Sequence, residues 1–168
     1  MKILLIIPPY ITTDSLVSFL YPMPLGPLSL AAYIRKYGYE VDLIDFVANT
    51  ESRSVTPPDS FKHTGNPPYI HYGNTFEYIE SWIKSNISKY DVIGISSLQA
   101  PIWEGTYKTI EIIKKYSGDK LLVFGGPHAS TRPKEFRNET GVDSIIIGEG
   151  EKSFLKLLND YRDNGVVE

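Results

Sequence analysis

Five short runs in this chain are apolar from end to end instead of alternating, and longer stretches of helical period separate them. They are Lys2 to Ile7 (KILLII), Val41 to Asp45 (VDLID), Asp91 to Ser96 (DVIGIS), Lys120 to Phe124 (KLLVF) and Asp143 to Ile147 (DSIII). A strand with one wet face alternates. A strand covered on both faces does not, and crossover helices lying above and below a parallel sheet provide that cover. Leu28 to Tyr37, Phe76 to Ser88, Glu104 to Tyr116, Lys134 to Glu139 and Glu151 to Tyr161 supply the helices. Pro27 suits a first helical turn, and Gly38 and Gly118 stand just past helix ends, where a left-handed residue is often needed. The pattern predicts an α/β fold, a Rossmann-like doubly wound five-stranded parallel sheet of order 2-1-3-4-5 with right-handed crossovers. An eight-stranded barrel is excluded, because it needs more than five strands and typically about 250 residues.

Composition narrows the partners. A length of 168 residues predicts a single domain over 1–168, and 42% hydrophobic residues suffice for a core. Seventeen Lys and Arg against 20 Asp and Glu leave a formal charge of −3, which offers no basic surface for nucleic acid. With no cysteine, the chain has no disulfide, zinc-thiolate site, Cys nucleophile or cysteine-ligated iron–sulfur cluster, so reactive atoms must be borrowed. The apolar run Ile3 to Ile7 stops at Pro8-Pro9, too short for a signal-peptide core or a membrane span, and a cytoplasmic setting is expected.

The rhythm breaks over residues 47–75, which are polar and carry Pro57-Pro58, Pro67-Pro68, Gly65 and Gly73 without a clear period. So long a connection is either a surface insertion or a lid or docking loop, for which Tyr69 and Tyr72 would supply apolar cover. His63 and His71, eight residues apart on no regular element, do not make a metal pair.

Ligands of open α/β sheets bind beyond the carboxyl ends of the strands, near the point where strand order reverses. Four of the five predicted strand ends are marked here: Pro8-Pro9-Tyr10, Ser96-Ser97-Leu98-Gln99, Gly125-Gly126-Pro127-His128 and Gly148-Glu149-Gly150-Glu151. Each has a plain reading as a strand stop or turn. Adjacent glycines also let a bulky ligand lie against the backbone. The last segment opens a helix whose amides could hold an anion, but Glu149 and Glu151 disfavour phosphate there and point to capping. No G-x-G-x-x-G or G-x-x-x-x-G-K-[ST] follows the first strand, which removes the main warrant for dinucleotide or P-loop binding.

K-I-L-L-I-I-P-P-Y, P-L-G-P-L-S-L-A-A-Y-I-R-K-Y-G-Y-E-V-D-L-I-D, D-V-I-G-I-S-S, V-F-G-G-P-H-A-S and V-D-S-I-I-I-G-E-G-E together resemble a known family. It is the N-terminal cobalamin-binding domain of cobalamin-dependent radical S-adenosylmethionine proteins, and within that group the chain is similar to the branch of magnesium-protoporphyrin IX monomethyl ester oxidative cyclases and their relatives. The chain is also similar to cobalamin domains of the methionine synthase and mutase type, which carry D-x-H-x-x-G, then S-x-L, then G-G. Ser96-Ser97-Leu98 fits S-x-L, and 26 residues separate Leu98 from Gly125-Gly126. By this resemblance the Ser96 hydroxyl would bond the dimethylbenzimidazole of the cofactor's nucleotide tail, Leu98 would wall its slot, and Gly125 and Gly126 would leave the slot room. A leucine at Gly126 is then expected to block the slot without harming the fold.

The histidine motif is missing. After the first strand stands Tyr10-Ile11-Thr12-Thr13-Asp14-Ser15, and no histidine occurs before His63. The resemblance therefore implies cobalamin bound without a histidine lower axial ligand, with its benzimidazole off the cobalt. His128 is expected to hydrogen-bond or touch the corrin. The implied site comprises Pro9, Tyr10, Ser96, Ser97, Leu98, Gln99, Gly125, Gly126, Pro127, His128, Gly148, Glu149 and Gly150, gathered in one cleft. The family's radical domain, with its S-adenosylmethionine and 4Fe-4S cluster, is expected C-terminal to this one as a partner in the parent enzyme, an oxidative cyclase or methyltransferase. This chain alone is expected to bind and not turn over. The rival reading is a flavodoxin-like interaction or regulatory module without cobalamin. A receiver would end its third strand in a phosphoacceptor Asp, where Ser96 and Ser97 stand, and a flavodoxin would follow its first strand with hydroxyls.

Overall fold

The computed structural model describes residues 1–13, 23–48, 61–63, 69–97 and 103–165. In chain order the elements are β1 (Lys2–Ile7), β2 (Tyr10–Thr13), α1 (Leu25–Arg35), β3 (Glu40–Asp45), β4 (Phe61–His63), β5 (Tyr69–Tyr72), α2 (Phe76–Asn86), β6 (Val92–Ser96), α3 (Trp103–Tyr116), β7 (Leu121–Gly125), α4 (Pro127–Thr131), α5 (Pro133–Thr140), β8 (Ser144–Ile145) and α6 (Gly150–Asn164). The five-stranded sheet runs β3-β1-β6-β7-β8 with every pairing parallel. Numbered among its own members this is 2-1-3-4-5, the predicted order.

Both sheet faces are dry, which is why the strand sequences do not alternate. On one face Leu4, Ile6, Ile93, Ile95, Leu122 and Phe124 pack against Ile79 and Ile83 of α2, Ile110 and Ile113 of α3, and Phe136 of α5. On the other, Ile3, Leu5, Val92 and Val123 pack against Ala31 and Ile34 of α1 and Phe154 and Leu158 of α6. Gly38 (φ +85°) and Gly118 (φ +57°) close their helices in the left-handed region, as their positions suggested.

The structure departs from expectation in three places. Helix α4 was not foreseen; it starts on Pro127, a residue suited to N1 because its missing N–H would be unsatisfied there anyway. Strand β8 is only Ser144–Ile145, shorter than predicted, because it borders β7 alone, and the backbone turns away after Ile146 donates its N–H to the Phe124 carbonyl at 2.9 Å. Within the unpatterned stretch 47–75, β4 and β5 join β2 in a separate antiparallel sheet of order β2-β5-β4, with Tyr10 opposite Tyr72. Strands of three or four residues are too short for periodicity to show. Residues 49–60 and 64–68 of that stretch lie outside the described ones.

Helix α3 approaches the β1–β2 connection closely, and a Cβ on Gly105 would stand 2.1 Å from the Pro9 carbonyl oxygen. Alanine in an open helix position gains about 1 kcal/mol over glycine. Here the backbone contact wins, so Gly105→Ala is expected to cost about 1–3 kcal/mol, roughly 3–10 °C in Tm. A melting curve shifted upward would show that the two segments are free to separate.

Candidate functional site

Along the α1/α6 face the strands lose side-chain volume toward their carboxyl ends. Side chains alternate, so β6 presents Val92, Gly94 and Ser96 to this face, and β7 presents Leu121, Val123 and Gly125. Gly94 pairs with Val123, and Ser96 with Gly125. The helices do not close onto the thinned surface, and a cleft of about 520 Å³ remains between the sheet, α1 and α6. Leu5, Leu30, Val123, Ile146 and Phe154 make its walls apolar.

The two floor glycines differ. A Cβ on Gly94 would lie 2.7 Å from the Leu5 Cδ2 and 3.7 Å from the Phe154 Cζ, so this strand position is filled to its limit by neighbours. Among the described residues a Cβ on Gly125 would meet only Ile146, at 3.8 Å, an ordinary contact on the border of the cleft.

Two hydroxyls brace the mouth. Ser29 of α1 donates to the Glu151 carboxylate of α6 at 2.8 Å. Ser130 of α4 donates to the Gly126 carbonyl at 3.2 Å and accepts the Gly148 N–H at 3.0 Å, joining the turn after β7 to the turn after β8. Glu149 makes no side-chain cap bond and Glu151 is occupied by Ser29, so neither carboxylate caps α6 as the sequence suggested.

Of the residues proposed from sequence, Ser96, Gly125, Gly126, Pro127, Gly148, Glu149 and Gly150 line this one cleft. Leu98 and Gln99 lie outside the described residues. Four others sit elsewhere, so the single cleft does not gather the whole set. Pro9 faces α3 through its carbonyl. Tyr10 begins β2, and burial, with the Asp45 carboxylate nearby, pushes its phenol pKa up. The Ser97 hydroxyl accepts from Thr106 of α3 at 3.2 Å. His128 is 4% exposed and packs edge-on to Phe136, with ring centroids 4.4 Å apart, in the α5 layer across the sheet from the cleft. Sequence reasoning missed Gly94, Leu30, Phe154 and Ser130. A glycine inside the apolar run V-I-G-I-S was the available signal for the first.

Gly126 is also a turn glycine. Its φ of +97° and ψ of 176° fall in a region open essentially to glycine alone, and a Cβ there would stand 2.6 Å from the Ser97 carbonyl oxygen. This overturns the expectation that leucine at 126 would leave the fold intact.

Among the described residues neither ring nitrogen of His128 has a hydrogen-bond partner. Burial, and secondarily the Arg132 charge, hold its pKa below the usual 6.5. The unfolded chain therefore binds a proton that the folded chain resists, and stability falls as pH drops below about 6.5 toward the lowered folded value. His128→Phe is expected to flatten that acid-side loss between about pH 6.5 and 5. Parallel chemical melts of the two proteins across that range check it, and identical slopes would rule His128 out as the source.

An open parallel sheet with an apolar cleft at its carboxyl edge, beside the reversal of strand order between β1 and β6, defines a doubly wound cofactor-binding domain. Residues 16–158 match the B12 binding domain, and the chain belongs to that family. It is 28% identical over 144 residues to the cytidylyl-2-hydroxyethylphosphonate methyltransferase of Streptomyces wedmorensis, covering 86% of this chain and 25% of that one. It is 24% identical over 162 residues to the anaerobic magnesium-protoporphyrin IX monomethyl ester cyclase of Rubrivivax gelatinosus, covering 94% and 24%. The chain thus spans about a quarter of the length of these curated relatives. Its fold matches that of the radical S-adenosylmethionine methyltransferase TsrM from Kitasatospora setae, solved with cobalamin and a 4Fe-4S cluster bound, at a TM-score of 0.68 and 16% identity over 99% of this chain and 27% of that one. Family membership favours the cobalamin reading over the flavodoxin-like one. Among the described residues no helix is long and apolar enough to cross a membrane, and no three His, Asp or Glu side chains are grouped to hold a metal ion.

Proposed function

We propose that this chain is the cobalamin-holding part of a radical S-adenosylmethionine enzyme, with the cofactor's nucleotide tail in the cleft under α1 and α6 and its corrin over the carboxyl edge of the sheet. The observation that carries the reading is the loss of side-chain volume at Gly125, at the carboxyl end of β7, which borders an apolar cleft of about 520 Å³. Gly125 gives the tail's ring room, Ser96 offers a hydroxyl at the mouth, and Ser130 ties the two bordering turns together. Pro127, Gly148, Glu149 and Gly150 form the rim of the cleft.

Bound cobalamin supplies methyl-transfer or one-electron chemistry at cobalt. The chain's part is to bind and orient. Among the described residues no histidine lines the cleft: His128 lies across the sheet, and Nε2 of His71 is 2.8 Å from the Asn74 carbonyl. With its tail base in the cleft, the cofactor would be held there without a histidine ligand from the chain. The similarity to a methyltransferase and a cyclase supports either reaction type for the parent enzyme. In this reading S-adenosylmethionine and the 4Fe-4S cluster belong to a C-terminal partner domain, and the setting is cytoplasmic.

Incubation with hydroxocobalamin followed by desalting tests the reading. The protein is expected to retain the corrinoid and to show the visible spectrum of the tail-displaced form. A spectrum with nitrogen still coordinated below cobalt would overturn the ligand assignment, and complete loss of corrinoid would overturn the function.

A further inference from the structure

We infer that helix α4 is a proton-sensitive latch on the mouth of the cleft: protonation of His128 on one side of the sheet frees the rim that Ser130 holds on the other. The latch follows from the fold itself, and only its consequence for the cofactor rests on the proposed cobalamin site.

The two sides of α4 face different parts of the molecule. Pro127 and Ser130 border the cleft. Ala129 belongs to the core on the opposite face, and the His128 ring, 4% exposed, packs there against Phe136. Ser130 fastens the cleft side through the Gly126 carbonyl at 3.2 Å and the Gly148 N–H at 3.0 Å. The His128 backbone is fastened as well, its N–H donating to the Ser97 carbonyl at 3.3 Å and its carbonyl accepting the Thr131 hydroxyl at 2.7 Å. A helix of five residues held in this way moves as one piece, so a force that lifts the His128 ring also pulls Ser130 from the rim.

Protonation supplies that force. Arg132, at the junction of α4 and α5, is the charge that acts on the imidazole, and its guanidinium lies 5.6 Å from the centroid of the same Phe136 ring. Arg132 pairs with Glu135 at 2.8 Å, and Glu139 further along α5 accepts the hydroxyl of Tyr107 from α3. A proton on His128 thus places a second positive charge beside Arg132 in a buried position. The imidazole binds that proton more readily once α4 has lifted and the ring is wet. Below about pH 6.5 the lifted form therefore gains up to about tenfold in population per pH unit, until the lowered folded pKa is reached.

Amide hydrogen exchange, followed by NMR between about pH 7.5 and 5.5 and corrected for the intrinsic rate of an unstructured peptide, tests the latch without any ligand. The Ser130 and Gly148 amides are expected to exchange by a local opening, less protected than Leu5 of β1 and insensitive to low urea, with protection falling up to about tenfold per pH unit below 6.5. His128→Phe is expected to make both pH-independent, and His128→Leu serves where phenylalanine overfills the site. Ser130→Ala is expected to leave Gly148 poorly protected at every pH. Protection in the wild type that does not change with pH would show that the ring leaves without α4 and would overturn the latch. So would exchange at Ser130 and Gly148 only through global unfolding, at the level of Leu5, or an acid response that survives both His128 variants. On the cobalamin reading, hydroxocobalamin is expected to leave the wild-type protein faster at the acid end of the range, and the ratio of the two rates is expected to shrink in His128→Phe. A protein that never retains the corrinoid would overturn that reading and not the latch.

Discussion

Gly125→Leu is expected to cripple cobalamin binding in a protein that melts close to wild type. Gly125 is absent from the positive-φ glycines, so its backbone accepts an L side chain, and among the described residues a Cβ there finds only Ile146 at 3.8 Å. By strand alternation it points to the same face as Val123, into the cleft. The rest of a leucine side chain then occupies the space the tail base needs. Burying the base against it costs at least the ~1–3 kcal/mol of overpacking, roughly ten- to hundredfold in Kd, and more where the tail is shut out entirely. Gly125→Ala should show a smaller loss, because one methyl group fills little of a cleft of about 520 Å³. Titration with hydroxocobalamin beside thermal melts of all three proteins separates occlusion from unfolding. Wild-type affinity in a folded Gly125→Leu protein would remove the cleft from the cofactor site.

The sheet was legible because its signal is long and redundant. Five apolar runs, each bounded by turn residues, leave one economical arrangement, and the pairings Ser96 with Gly125 and Leu5 with Gly94 follow from it. The cleft was half legible. Ser96 and Gly125 sit at strand ends, where position along the chain fixes position in space. His128 does not, because Gly126 at φ +97° and Pro127 at N1 turn the chain into a helix. Successive helical residues then point about 100° apart. Pro127 and Ser130, three apart, return to the cleft side, while His128 between them is carried to the Phe136 side. Sequence adjacency to a motif residue gave no information about that rotation. The antiparallel sheet β2-β5-β4 was hidden for another reason, since its partners are far apart in sequence and each strand is shorter than one reliable period.

The neighbouring glycine should respond in the opposite way. At Gly126 any Cβ is held in a backbone region that side chains avoid and is driven to 2.6 Å from the Ser97 carbonyl oxygen, a backbone atom that cannot rotate aside. That carbonyl also accepts the His128 N–H at 3.3 Å, and the Gly126 carbonyl accepts the Ser130 N–H at 3.3 Å and its hydroxyl at 3.2 Å. Relieving the collision therefore opens the turn that joins β7 to α4 and, through Ser130, loosens the Gly148 turn. Backbone strain of about 1–3 kcal/mol and a similar overpacking cost add to roughly 2–6 kcal/mol, so Gly126→Leu is expected to lower Tm by roughly 5–20 °C. Even Gly126→Ala should be clearly destabilised, whereas Gly125→Ala should not, although the two positions are adjacent and both border the cleft. Cofactor loss in the 126 variants should then track the fraction unfolded, and vanish as a difference at temperatures where the variant is fully folded. A Gly126→Ala protein that melts with wild type would show that the turn tolerates a side chain, and would return Gly126 to the list of residues that act by occupying the slot.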